Sequence, residues 1–218
     1  TRFPGKMLGD RTGKPLVQHV YERALLATSI SHVLVATDDE RIAKAVRAFG
    51  GEAIMTRADH PNGTSRIAEV AESIDAPIIV NVQGDEPELD PALIDAAVEA
   101  LKNNPQAPVA TVASPFAKDE DPRNPNIVKV VRDVRGRALY FSRALIPHDR
   151  DGTGETTPLK HVGLYVYSRE FLFEYITLPV TPLEEAERLE QLRILEHGRA
   201  IAVAVREAHH HGIDTPEQ

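Results

Sequence analysis

The chain has 218 residues, of which 42% are hydrophobic and 27% charged, with a net charge of −8 and no cysteine. These values exclude a disordered or fibrous chain and a disulfide framework, and the lack of cysteine suits a reducing cytoplasm. The acidic balance argues against a nucleic-acid-binding protein, and no apolar run approaches the ~20 residues of a membrane helix, so we expect neither nucleic acid nor membrane as a partner.

Strands and helices alternate along the first half of the chain. Short runs of apolar and β-branched residues predict three strands: 32–36, 53–55 and 77–82. Apolar periodicity predicts three helices: 40–49, 67–74 and 91–103. Asp90 is the predicted cap of the third helix and Pro91 its first residue. Such alternation predicts an α/β fold with a doubly wound, mostly parallel sheet, whose ligands lie at the carboxyl ends of the strands.

The stretch at about 127–168 has a different pattern. Three strand-like runs are predicted there: 127–131, 138–141 and 162–167. The first two flank a turn at 133–136. We expect a β-rich insertion that forms a lobe or a contact between subunits.

The last part of the chain returns to helix and strand. A helix is predicted from Pro182 to about Glu196, with Thr181 as cap and Glu184 as the second half of a capping box. A strand follows at 201–205. Both ends look cut inside a structural element, so we expect one domain, 1–218, truncated at both ends.

The front loop carries two cations around a tight turn. Arg2 and Lys6 bracket the Pro-Gly pair at 4–5, which favours a turn with the glycine at positive φ. Such a loop can aim both cations at one polyphosphate, although it could equally be an exposed basic loop. The Gly-Lys pair at 13–14 does not belong to a P-loop, because Pro15 stands where Ser or Thr is required.

Two further segments follow predicted strands. Residues 56–66 lead into a helix, so their amides and hydroxyls are placed to meet a base or a phosphate, although any loop before a helix needs such residues. Residues 83–87 follow the buried strand at 77–82. Asp85 could there hold Mg²⁺ together with phosphate oxygens, and Gly84 allows close backbone approach. The alternative is a polar turn without function.

An ordered set of segments covers nearly the whole chain and carries a resemblance: 1–6, 35–38, 55–64, 81–87, 140–147, 189–193 and 212–217. Each segment alone is a weak signal, but together they are very specific. The chain closely resembles the 3-deoxy-manno-octulosonate cytidylyltransferases, which have a fold of the nucleotide-diphospho-sugar transferase type. The resemblance implies transfer of CMP from CTP to 3-deoxy-manno-octulosonate (Kdo), with release of pyrophosphate, for lipopolysaccharide biosynthesis.

The resemblance also implies roles for particular residues. Asp85 and Asp214 are the expected carboxylates of a Mg²⁺ site, and Arg2 and Lys6 match the triphosphate loop; these four are the expected catalytic residues. Four residues match the nucleotide side, in addition to the triphosphate loop: Arg57, Gly63, Thr64 and Ser65. Six match the side that binds the sugar acid: Gln83, Arg143, His161, Tyr165, Glu190 and Gln191. A homodimer formed through the β-rich insertion is expected.

The residues themselves leave other readings open. His161 and Tyr165 lie on one face of a strand, as ordinary core residues would, and the pair 190–191 could be the solvated face of a helix. The acceptor could be another acid such as 8-amino-Kdo or a sialic acid, or the chain could be a nucleotide-sugar sensor without activity. A metal-dependent glycosyltransferase that uses the Asp pair at 38–39 is weaker, because that pair suits a helix cap. The histidines at 209–211 are expected in a surface loop.

Overall fold

The computed structural model describes residues 5–154 and 157–208. A 3-10 turn at Lys6–Leu8 comes first. The helices are α1 (Leu16–Leu25), α2 (Glu40–Ala48), α3 (Gly63–Glu72), α4 (Pro91–Asn103), α5 (Arg169–Tyr175), α6 (Pro182–Glu187) and α7 (Gln191–Glu196). The strands are β1 (Val35–Thr37), β2 (Ala53–Met55), β3 (Ile78–Asn81), β4 (Val109–Pro115), β5 (Lys129–Arg132), β6 (Ala138–Ser142), β7 (Leu159–Ser168) and β8 (Ile201–Val205).

The strands form a parallel pair, β1 with β2, and a six-stranded sheet of order β6-β5-β7-β4-β8, in which β3 also pairs with β7. β4 and β8 are parallel, and β3 runs in their direction because both β3 and β4 are antiparallel to β7. The α/β class with a parallel-rich sheet is confirmed, and each antiparallel pairing of these strands involves β6 or β7, two strands of the predicted β-rich stretch.

The β-rich stretch contains the three expected strands, but they are part of the six-stranded sheet rather than a sheet of their own. The expectation of a lobe or a contact between subunits stays a prediction. The three strands join this sheet because β7 is covered on both faces. Its residues Val162, Leu164 and Val166 belong to one apolar core, while Tyr167 belongs to the other, so the strand is stable only in the interior of the sheet.

One edge of β7 is shared by two strands, and this arrangement positions the candidate site. β5 pairs with β7 at Leu159 and Lys160, and β3 pairs with it from Tyr165 to Ser168. β3 ends at Asn81, opposite Tyr165. The chain after β3 therefore crosses the part of β7 that neither strand pairs with.

Side-chain caps explain several helix starts. Asp39 accepts a hydrogen bond from the Arg41 amide and Asp90 accepts one from the Ala92 amide, so both predicted caps are confirmed. α3 begins at Gly63, before the predicted 67, because the Asn62 side chain accepts from the Ser65 amide and starts the helix earlier.

The predicted helix from Pro182 to Glu196 is two helices, α6 and α7. The chain breaks at Arg188, which has a left-handed φ of 54° and ends α6. The predicted capping box is also wrong, because Thr181 makes no side-chain cap and the Glu184 carboxylate pairs with Arg193 instead. A buried ion pair between the two helices has replaced a local contact.

Three elements were not predicted: α1, β4 and α5. β4 is the most consequential, since it lies between β7 and β8 in the sheet and its first six residues are buried. It consists mainly of small and hydroxyl-bearing residues, so it lacks the run of large apolar residues that predicts a buried strand. α1 is amphipathic and buries four side chains: Leu16, Val17, Val20 and Ala24.

Thr181 offers a test of core packing. Its hydroxyl is buried and has no hydrogen-bond partner among the described residues. Because an unsatisfied buried hydroxyl costs free energy, we expect Thr181→Val to raise the free energy of unfolding by about 1 kcal/mol. Urea unfolding measures this change, and a loss of stability would show that the hydroxyl is satisfied.

Within the described ranges, 5–154 and 157–208, none of the helices is both long enough and apolar enough to span a membrane.

Candidate active site

The front loop packs on the turn that follows β3. Gly5 has the predicted positive φ, 76°, and places Lys6 in the 3-10 turn. The Lys6 Nζ lies 2.5 Å from Asp85 Oδ2, and both side chains are largely buried, with exposures of 14% and 29%. A Cβ on Gly84 would lie 2.8 Å from the Met7 sulfur, so the front loop packs closely on this turn. A basic group and an acidic group predicted from separate segments therefore meet.

The Asp85 carboxylate suits a hard cation. Mg²⁺ is held in proteins by one or two carboxylates together with substrate phosphates, and Asp85 is a partly exposed carboxylate in the turn that follows β3. Within the part of the chain that the structure describes, no group of three His, Cys, Asp or Glu residues could hold a metal by itself. Arg2 and Asp214 lie outside the described residues.

The predicted nucleotide segment lies against the turn after β3. A Cβ on Gly63 would lie 3.9 Å from Gln83 Nε2, so the start of α3 faces the Gln83 side chain. The Gln83 amide is also 3.4 Å from the Asn81 Oδ1. The start of α3, where the first amides of a helix have no partner within the helix, therefore borders the same space as the end of β3.

Arg57 and Ser65 take part in a side-chain cluster around His60. The ring of His60 contacts Glu69 through Nε2 and lies 3.2 Å from Ser65 Oγ through Nδ1. Arg57 is 3.4 Å from Glu69 and remains 69% exposed. Arg57 thus lies at the rim of the site, where the cluster orients the start of α3. His60 and Glu69 were not predicted as site residues. The available signal in the sequence was that they are only nine residues apart, one in the loop and one in the helix that follows it.

The nucleotide side and the sugar side are joined by one hydrogen bond. Thr64 Oγ1 donates to Glu190 Oε2 at 3.4 Å, across 126 residues of sequence. Desolvation, followed by the charge of Glu184, raises the pKa of the Glu190 carboxyl. Gln191, the next residue, is buried at the start of α7. Gln191 is therefore directed into the protein, whereas Glu190 is an exposed residue, and the reading as a solvated helix face is wrong for Gln191.

Tyr165 and His161 lie together on β7. Their ring centroids are 5.3 Å apart, and the His161 ring also meets Phe141 edge-on at 5.1 Å. Burial, and then the neighbouring Tyr167 and Glu190, raises the pKa of Tyr165 well above its usual value. Burial lowers the pKa of His161 to about 3, so the imidazole is neutral at physiological pH.

Arg143 is held by backbone carbonyls. Its Nε donates to Glu187 O at 2.7 Å, and its terminal nitrogens donate to Pro125 O at 3.1 Å and Arg188 O at 3.4 Å. The Glu187 carboxylate accepts from the Arg143 amide. Arg143, the predicted sugar-binding cation, thus stabilises the chain where α6 ends and α7 has not yet begun.

Six of the predicted residues are therefore neighbours in pairs: Gln83 faces Gly63, Thr64 bonds to Glu190, and Tyr165 packs beside His161. Thr111, which bonds to His161, was not predicted; the available signal was a threonine within a run of small and apolar residues.

Comparison with known proteins identifies the family of the chain. The sequence pattern of the cytidylyltransferase family matches residues 1–201. The 3-deoxy-manno-octulosonate cytidylyltransferase of Solibacter usitatus (strain Ellin6076) is 55% identical over 100% of this chain and 86% of its own length. That of Geobacter sulfurreducens (strain ATCC 51573 / DSM 12127 / PCA) is 54% identical over 99% of this chain and 90% of its own length.

Solved structures give the same result. The CMP:2-keto-3-deoxy-manno-octonic acid synthetase complexed with CTP superposes with a TM-score of 0.94 and 46% identity, covering 100% of this chain and 89% of that one. The 4-diphosphocytidyl-2C-methyl-D-erythritol synthase of Anaerococcus prevotii DSM 20548, at 14% identity and a TM-score of 0.61, shares the fold over 97% of this chain and 88% of its own. The chain belongs to the family of 3-deoxy-manno-octulosonate cytidylyltransferases.

Proposed function

We propose that this chain transfers CMP from CTP to Kdo and releases pyrophosphate, as a step of lipopolysaccharide biosynthesis in the cytoplasm. The observation that carries the proposal is 55% identity over the whole chain to a cytidylyltransferase for this sugar acid. The superposition on a structure complexed with CTP supports the choice of nucleotide.

In the proposed reaction the anomeric hydroxyl of Kdo attacks the α-phosphorus of CTP. A bond forms between that oxygen and the phosphorus, the bond from the phosphorus to the oxygen bridging to the β-phosphate breaks, and pyrophosphate leaves. The hydroxyl proton is lost to water or a base. Catalysis of such a transfer depends on positioning and on the neutralisation of charge.

The front loop supplies positive charge for the triphosphate. The Lys6 ammonium is already held near the end of β3 by Asp85, at 2.5 Å. The Lys6 side chain would therefore lose little conformational entropy when the phosphates bind. We propose that Arg2 adds a second cation. The amides of Gly63 and Thr64 at the start of α3, the side chain of Ser65 beside them and the guanidinium of Arg57 at the rim would bind the rest of the nucleotide.

Asp85 and Asp214 would hold Mg²⁺ in this proposal. When bound, the ion supplies neutralisation of the phosphate charge and orientation of the attacking oxygen. The support in the structure is the placement of Asp85, whose carboxylate keeps 29% exposure after the strand while Lys6 compensates its charge.

Six residues would bind the sugar acid: Gln83, Arg143, His161, Tyr165, Glu190 and Gln191. Five of them lie at the end of β3, on β7 or at the start of α7, and Arg143 lies elsewhere. Arg143 differs, because a sugar carboxylate would have to replace carbonyl oxygens as the partner of its terminal nitrogens. The two bonds at those nitrogens are the longer ones, so they would be exchanged at the lowest cost.

We also propose that the chain forms a homodimer through the hairpin of β5 and β6. Val134 in the turn is fully exposed and Leu139 on β6 is 61% exposed, although both are apolar. Light scattering of the purified chain measures its mass in solution directly.

The test of the function is pyrophosphate release from CTP and Mg²⁺ with a panel of sugar acids. We expect release with Kdo, and no release when Kdo or Mg²⁺ is omitted. Release with 8-amino-Kdo or a sialic acid, but not with Kdo, would show that the acceptor is a different sugar acid and that the reaction is the proposed one. Binding of CTP without release for any acid would favour a sensor and overturn the proposal.

A further inference from the structure

β7 contains an irregularity beside the candidate site. In its pairing with β4, Thr111 is opposite Tyr165, but the next residue, Val112, is opposite Val162. Two residues of β7 are therefore extra at this point, and the strand bulges. A bulge redirects the carbonyls and side chains next to it.

Thr111 occupies the inside of this bulge. Its side chain is fully buried, and Oγ1 lies 2.7 Å from Leu164 O, 3.3 Å from Val162 O and 2.9 Å from His161 Nε2. A hydroxyl has one proton to donate, and a backbone carbonyl can only accept. Since both carbonyls are acceptors, the hydroxyl proton is committed to them, and the bond to His161 requires that Nε2 carry a hydrogen.

This comparison of donors and acceptors determines the tautomer of His161. With the hydrogen on Nε2 and a neutral ring, Nδ1 has a lone pair and can only accept a hydrogen bond. The pKa of about 3 supports a neutral ring. The ring cannot turn freely, because Phe141 meets it edge-on and Tyr165 packs beside it. Among the described residues, Nδ1 has no hydrogen-bond partner.

We infer that Thr111 is a positioning residue, which holds His161 as the Nε2–H tautomer so that Nδ1 accepts a hydrogen bond from a hydroxyl of the acceptor sugar. This inference rests on the proposed function for the identity of that substrate. An accepting Nδ1 would favour a hydroxyl and repel the carboxylate of the sugar acid. His161 would therefore set the orientation of the sugar rather than bind its charge.

The test compares two substitutions at one position. Thr111→Val removes the hydroxyl at nearly constant volume, whereas Thr111→Ser keeps it. We expect Thr111→Val to raise the KM for Kdo about tenfold, which corresponds to the loss of one hydrogen bond, with the KM for CTP unchanged. Thr111→Ser should restore the KM for Kdo to within about threefold of the parent. Thr181→Val is the matched control, because it changes a buried threonine whose hydroxyl has no partner.

A second readout does not depend on activity. In the parent chain with ¹⁵N-labelled histidine, the ring nitrogens of His161, identified by their loss in His161→Asn, should show the Nε2–H tautomer alone. Thr111→Val should give a mixture of tautomers, and Thr111→Ser should not. If the parent shows Nδ1–H, or Thr111→Val leaves the tautomer and the KM for Kdo unchanged in a folded chain, the inference is wrong. If no sugar acid supports turnover while the tautomers behave as expected, the proposed function fails and the positioning by Thr111 remains.

Discussion

Asp85→Asn is expected to lower the rate of pyrophosphate release about a thousandfold while the chain stays folded. The amide has the shape of the carboxylate but lacks its charge, so it holds a hard cation far more weakly and cannot compensate the Lys6 ammonium 2.5 Å away. Loss of a charge that stabilises a transition state typically costs two to three orders of magnitude. Steady-state release of pyrophosphate, measured over a series of Mg²⁺ concentrations, gives the change.

Asp75→Asn is the matched control for this substitution. Asp75 is an exposed carboxylate just before β3, at the opposite end of the strand from Asp85. We expect its replacement to leave both the rate and the Mg²⁺ dependence unchanged. If Asp85→Asn kept the parent's turnover, Asp85 would not hold a catalytic cation.

Glu184→Gln is expected to lower the free energy of unfolding by about 3–5 kcal/mol, because it leaves the charge of Arg193 buried without its partner. The two side chains are each only 10% exposed and meet through two parallel bonds, of 2.7 and 2.5 Å. Arg193 also lies over the ring of Tyr175, at 5.1 Å from its centroid. Urea unfolding monitored by circular dichroism measures the loss.

The control is an ion pair of the same length on the surface. Glu174 and Arg199 also approach to 2.5 Å, but their side chains are 36% and 50% exposed. Because water screens such a pair, Glu174→Gln should change the free energy of unfolding by at most about 1 kcal/mol. Equal losses for the two variants would mean that burial does not decide the strength of the pair between α6 and α7.

The ion pair matters for the site as well as for stability. It joins α6 to α7 across the break at Arg188, and α7 begins with the residues proposed to bind the sugar. We therefore expect Glu184→Gln to weaken Kdo binding as well, since Glu190 and Gln191 would no longer be held in one arrangement.

Short-range chemistry could be predicted from the sequence. Asp39 and Asp90 cap their helices as expected, because a cap depends on residues two or three positions apart. The buried β-branched run became β3, and the positive φ of Gly5 followed from the Pro-Gly pair. The succession of motifs also indicated the family, which the relatives confirm.

Contacts over long distances along the chain were decided by tertiary structure. The capping box at Thr181 was a reasonable local prediction, but Glu184 pairs with Arg193 because a buried arginine must have a partner. In the same way, β7 entered the middle of the sheet because both of its faces are apolar, and no local pattern names its neighbours.

The candidate site shows the same division. The side chains of Lys6, Asp85 and Glu190 indicated groups that could bind phosphates, a cation or a sugar. This could be predicted because the chemistry belongs to the side chains themselves. Only the fold brought Lys6 to Asp85 across 79 residues and Thr64 to Glu190 across 126. Sequence patterns carry local conformational preferences. Contacts between residues so far apart in the sequence result from the packing of two apolar cores on one sheet.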